Sequence, residues 1–190
     1  IESDFNGRFQ TELSTEVFER SSAWGGYVAQ AVYQWSQTDT NGHDAFLNPQ
    51  PVNYVPPTGP GKWQPTFPDY GRALLPYWGS VRTFAANSDD KCVDPLPYST
   101  DPSSEFFVQA LETENKVNLI KSGQNYEDRW IADFWSDDCA ALTFTPAGRW
   151  MAVSNQLIDA GQVKMDKAIV VYAKVGMALC DAGVRAWGEK

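Results

Sequence analysis

Ten of the chain's twelve prolines fall between Asn41 and Asp101, and this one bias divides what the sequence can fold into. Proline lacks a backbone donor and fixes φ, so regular helix is nearly excluded there and must come from the flanking stretches. Proline-rich runs usually read as solvated linkers. Here, however, "NPQPVNYVPPTGPGKWQPTFPDY" carries Tyr54, Trp63, Phe67 and Tyr70, and Tyr77, Trp78 and Phe84 follow it. A solvated linker has no use for so many rings. The segment reads as an ordered crossover strapped over a helical body, and as a candidate cleft wall.

The flanks carry helical periodicity. Phe18, Ala23, Trp24, Tyr27, Ala31 and Trp35 predict a helix over Thr15–Gln37 that starts at Ser14. The Gly25–Gly26 pair inside it costs propensity and calls for close packing or a kink. After the crossover, "SSEFFVQALETENKVN" can be capped by Ser103 or Ser104 and places Phe106, Phe107, Ala110, Leu111 and Val117 in a stripe. "QNYEDRWIADFWSDD" aligns Tyr126, Trp130, Ile131, Phe134 and Trp135 on one side. "TPAGRWMAVSNQLIDA" opens with proline in its first turn, and a last helix begins near Asp166. There is no internal repeat and no alternating strand pattern. The expectation is an all-α helical bundle with a long Pro/Trp-rich ordered crossover. With 190 residues and 43% hydrophobic content, residues 1–190 are expected to form a single helical domain.

Composition excludes more partners than it names. A net charge of -9 with no run of Lys or Arg repels nucleic acid. No apolar run approaches the ~20 residues that span a bilayer. "IESDFNGRFQ" has neither the basic nor the apolar region of a signal peptide. Cys92, Cys139 and Cys180 are odd in number, widely spaced and without metal-ligand spacing. Cys180 reads as a small buried hydrophobe, while Cys92 and Cys139, in loop-like sequence, could pair in an oxidising compartment. Nucleophile-elbow, zinc-helix, phosphate-loop and dinucleotide signatures are all missing. His43, the one histidine, lies in the turn-like "TNGHDAF" and reads as a surface residue rather than a catalytic base.

Two features carry candidate chemistry. Asp137 and Asp138 follow "DFWS" at a helix end, where the helix dipole disfavours carboxylates; they are either met by a partner cation or form a solvated loop pair. In the last helix, Ile169, Tyr172, Gly176, Leu179, Gly183, Ala186 or Trp187, and Lys190 form one stripe by helical spacing. Gly176 and Gly183 would let another helix approach closely. A lysine on that stripe either snorkels to solvent or meets an anion.

In order along the chain, "ERSSAWGGYVAQAVYQW", "VPPTGPGKWQPTFPDYGRALLPYWGSVRTFA", "WIADFWSDD" with "TPAGRWMAVSNQL", and "DAGVRAWGEK" resemble the vanadium-dependent haloperoxidases and their relatives in the acid phosphatase superfamily. The resemblance runs through nearly the whole chain. It implies that Lys190 matches the first lysine of an oxyanion pocket that holds vanadate, or phosphate in the phosphatases. It also implies that Trp187 matches a halide-pocket tryptophan, and that Asp138, with Asp137 as competitor, orients a pocket arginine. The remaining pocket residues, an Arg-Pro six residues on, a Pro-Ser-Gly-His segment and an Arg with a His, are expected beyond residue 190. The chain would then be a helical part of a larger protein, inactive by itself and partnered by the missing C-terminal half. The implied activity is peroxide-dependent halide oxidation at bound vanadate, on small-molecule substrates and in a secreted or periplasmic setting. Phosphate-ester hydrolysis in the same pocket, and a non-catalytic aromatic-rich binding module, are the alternatives.

Overall fold

Short polar side chains start the helices where the sequence places them. In the computed structural model, which describes residues 2–87, 89–136 and 144–189, the chain divides into two compact units, Ile1–Pro49 and Gln50–Lys190. All regular structure among the described residues is helical.

The first unit holds α1 (Glu2–Glu12) and α2 (Thr15–Gln37). α1 has only the stacked pair Phe5–Phe9 as an apolar signal, too sparse to mark a helix in the sequence. The Ser14 hydroxyl caps α2 by accepting from the Val17 N–H at 3.4 Å. α2 then runs uninterrupted through Gly25–Gly26, and among the described residues of this unit no heavy atom beyond the helix's own backbone lies within 4 Å of where either β-carbon would stand. Neither close packing nor a break accompanies the pair, because glycine keeps its N–H and C=O in the helical ladder and costs only propensity.

His43 departs from the surface position expected of it. Its ring folds back on the last turn of α2, half-buried and edge-on to Tyr33 at 5.3 Å. Its Nδ1 lies 2.9 Å from Ser36 Oγ. The Ser36 hydroxyl proton already goes to the Tyr33 carbonyl at 2.7 Å, so Nδ1–H is the donor in the His43–Ser36 bond.

The second unit begins with the proline-rich strap, whose one helical turn near its middle is the 3₁₀ turn Trp78–Ser80. Four helices follow: α3 (Glu105–Lys121), α4 (Tyr126–Trp135), α5 (Pro146–Ala160) and α6 (Met165–Glu189). Ser104, Asn125 and Thr145 each accept an N–H from the first turn they precede. Gly123, at φ 77, closes α3 in a Schellman motif: its N–H reaches Ile120 O and that of Gln124 reaches Leu119 O, both at 3.0 Å. Lys116 and Asp128 pair at 3.2 Å between α3 and α4, and Tyr172 donates to Asn155 at 2.8 Å between α6 and α5.

Among the described residues the buried side chains are Pro51 on the strap, Ser154 on α5, and Asp181 and Val184 on the later turns of α6, the last 1% exposed. The aromatic side of α4, by contrast, leaves Tyr126, Trp130 and Trp135 largely exposed among the described residues. Cys180 is half-buried and Cys92 exposed. Cys139 lies outside the described residues.

Candidate functional site

The inward face of α6 keeps Tyr172, Leu179, Gly183 and Trp187 of the stripe read in the sequence and departs from it at Ile169, Gly176 and Ala186. Ala168, Tyr172, Val175, Leu179, Gly183 and Trp187 turn inward, joined by Asp181 and Val184. Ile169 is 60% exposed, and Gly176 and Ala186 also face out. Among the described residues nothing outside α6 lies within 4 Å of a β-carbon on Gly176. One on Gly183 would meet Trp78 Nε1 at 3.7 Å, so what approaches α6 there is the strap and not another helix. Apolar periodicity alone cannot set the whole face, because the strap is irregular and brings polar as well as apolar groups to α6.

Two glycines permit the approach. A β-carbon on Gly79 would stand 2.6 Å from the Gly188 α-carbon and 2.7 Å from its nitrogen. The 3₁₀ turn therefore lies directly against the backbone of the last turn of α6.

Two helical turns earlier, Asp181 buckles the strap to α6. It is 7% exposed, and its carboxylate accepts three consecutive backbone N–H bonds: Phe84 at 2.7 Å, Ala85 at 2.8 Å and Ala86 at 2.8 Å. Burial alone pushes its carboxyl up, but the three N–H donors and the Arg185 guanidinium outweigh that and hold its pKa below the usual value. Arg185 Nη2 donates to Ala86 O at 3.3 Å, and the Thr83 hydroxyl donates to the same carbonyl at 2.6 Å. The loop 83–86 thus closes on itself and on both charged residues. This buckle was not anticipated, although a single carboxylate in "ALCDAGVRAW" with an arginine four residues on was its signal.

Beyond the buckle, the Trp187 indole N–H donates to Leu74 O at 3.2 Å. Its ring borders a cleft of about 490 Å³ whose other walls come mainly from the strap, including Tyr54, Lys62, Trp63 and Arg72. The crossover is therefore a cleft wall, as its rings suggested. Lys190 is the residue after α6 and lies outside the described residues, as do Asp137 and Asp138.

Among the described residues, Arg149 stands at the end of α4. Its Nη2 donates to the Phe134 carbonyl at 2.7 Å, satisfying one of the open acceptors at the end of α4. The guanidinium stands over the rings of Phe134 at 4.9 Å, Trp135 at 5.5 Å and Phe144 at 5.7 Å. A cation therefore sits where the helix dipole favours one. Among the described residues no cluster of three His, Cys, Asp or Glu could hold a metal ion, and no helix is long and apolar enough to cross a membrane.

No family model matches the chain, and no curated protein matches it. Among solved structures, a bacterial vanadium-dependent iodoperoxidase aligns with 91% of this chain at a TM-score of 0.74 and 26% identity. The chain spans 42% of the length of that protein. The helical arrangement described here is thus a haloperoxidase-like fold.

Proposed function

We propose that this chain is the helical scaffold of a vanadium-dependent haloperoxidase-like protein that oxidises halide with peroxide. The observation that carries the reading is the likeness to the iodoperoxidase over 91% of the chain. The tryptophan that borders the strap cleft, Trp187, is also the residue that the resemblance assigns to halide.

Vanadate is an oxyanion, so what holds it is positive charge and N–H donors rather than a cluster of carboxylates. In this reading Lys190, one residue past α6, contributes an ammonium to the oxyanion, and Asp138 or Asp137 orients an arginine of the same pocket. When bound, vanadate supplies peroxide activation for halide oxidation. The chain's own work is to fix the end of α6: the Asp181 buckle and the Gly79–Gly188 contact hold the turn that carries Trp187. In this reading the pocket histidine is the one that the resemblance places beyond residue 190, not His43. The 190-residue chain alone is accordingly inert.

The test is halide oxidation by the full-length protein. Bromide or iodide oxidation that needs both vanadate and peroxide, and that falls with K190A, is the expected outcome. Phosphate-ester hydrolysis without halide oxidation would replace this reading with a phosphatase. Failure to bind vanadate at all would leave a binding module. Turnover by the isolated 190 residues would contradict the division of labour.

A further inference from the structure

The cleft beside Trp187 is far larger than a halide ion needs. Its volume of about 490 Å³ falls in the range of sites for small organic molecules. Three aromatic side chains, Tyr54, Trp63 and Trp187, share its lining with two cations, Lys62 and Arg72. Neither cation has a carboxylate partner among the described residues. Glu189 also lines the cleft and sets one negative charge against two positive ones.

The segments that carry these cations are pinned. Gly61, at φ 72, lies so close to Tyr98 that a β-carbon would stand 2.7 Å from the Tyr98 side chain; Tyr98 in turn meets Phe106 of α3 edge-on at 5.3 Å. On the other side, Gln50 Nε2 donates to the Arg72 carbonyl at 3.1 Å. The Trp187 N–H is taken by Leu74, so this residue offers the cleft a ring and no free donor. Rings with unpaired cations on an anchored backbone make a preorganised site for a flat molecule carrying negative charge.

We infer that the cleft binds an aromatic organic anion, a one- or two-ring carboxylate or phenolate, with its charge met by Lys62 and Arg72. In the proposed haloperoxidase this anion is the organic acceptor: hypohalous acid, formed from halide and peroxide, exchanges a ring C–H bond for carbon–halogen, and the ring proton leaves with the hydroxyl as water. That assignment rests on the functional reading above, whereas the binding does not.

Calorimetry on the full-length protein, without vanadate or peroxide, tests the inference with 2-naphthoate and its methyl ester as probes. Naphthoate should bind at least ~10-fold more tightly than the ester, and this preference should shrink at high salt. In K62A/R72A, naphthoate affinity should fall by ~10-fold or more while ester binding holds, with circular dichroism confirming the fold. Should the double variant not fold, K62Q and R72Q tested singly carry the same expectation. Equal binding of acid and ester would overturn the proposal, as would wild-type affinity in the variants or no binding of naphthoate at all. Naphthoate binding in a protein that oxidises no halide would sink the haloperoxidase reading alone. Halide oxidation without naphthoate binding would sink this inference alone.

Discussion

Gly79 and Gly188 meet asymmetrically: a β-carbon on Gly79 would lie 2.6 Å from the Gly188 α-carbon, while one on Gly188 would lie 3.9 Å from the Gly79 carbonyl oxygen. Alanine at 79 must push backbone away from backbone, and alanine at 188 must push nothing. G79A is expected to cost about 1–3 kcal/mol. G188A should be neutral or should stabilise α6 by about 0.5–1 kcal/mol. Urea denaturation of the two variants measures the difference; equal costs would contradict the contact.

Removing the Asp181 carboxylate strips three backbone N–H groups of one shared acceptor. D181A should destabilise the second unit by about 2–4 kcal/mol, and D181N by less, since its amide keeps one acceptor oxygen. Hydrogen exchange gives the more specific reading. Amides of Phe84, Ala85 and Ala86 should lose protection in D181A before those of α3 do, and uniform loss across the unit would argue against a local buckle.

The same carboxylate gives a pH dependence of definite sign. Its folded pKa lies below the ordinary 3.8, so the folded state binds its proton less readily than the unfolded chain. The stability it contributes is therefore complete above the unfolded value and is lost as pH falls from about 3.8 through the lowered folded value. Melting temperatures of wild type and D181N should converge below that window and separate above it. A gap that persists unchanged into strong acid would exclude the ionised carboxylate as the source.

Trp187 makes one directional bond to the strap, from its indole N–H to Leu74 O. W187F keeps most of the ring volume and loses that bond, for an expected cost of about 1 kcal/mol. If the bond helps seat the tryptophan, the variant should also show weaker naphthoate binding at the cleft. Unchanged stability would mean that water replaces the indole without loss.

On α2 the glycine pair invites the opposite experiment. Nothing surrounds Gly25 or Gly26 in its unit, so G25A/G26A should stabilise the helix by about 1–2 kcal/mol. Thermal melts decide it, and destabilisation would show that another surface seats against the pair.

Helix starts were the most legible part of the sequence because they are local. Ser14, Ser104 and Thr145 announce themselves through a side chain three residues from the N–H it accepts, and Pro146 fits the first turn it opens. α1 was not legible, because two phenylalanines among polar residues and a glycine leave no stripe. The proline-rich segment was legible only in part: Tyr54 and Trp78 are half-buried, but Phe67 and Tyr70 are 80% and 64% exposed, so packing of every ring is not what orders it.

The candidate site was legible only in part. Trp187 stood out through spacing and resemblance. Asp181, Gly79 and Arg149 did not, because each acts on a partner far away in sequence: Asp181 on a loop 95–97 residues earlier, Gly79 on the far end of α6, Arg149 on a carbonyl 15 residues back. Legible from local backbone chemistry are the helices after α1, the caps at Ser14, Ser104 and Thr145, and the exclusion of α-helix from the proline-rich segment. Tertiary structure alone decided how wide the inward face of α6 is and what meets it. That choice depends on where an irregular, proline-rich strap places three N–H groups, one glycine and two cations, and no periodicity encodes the path of a segment that has none.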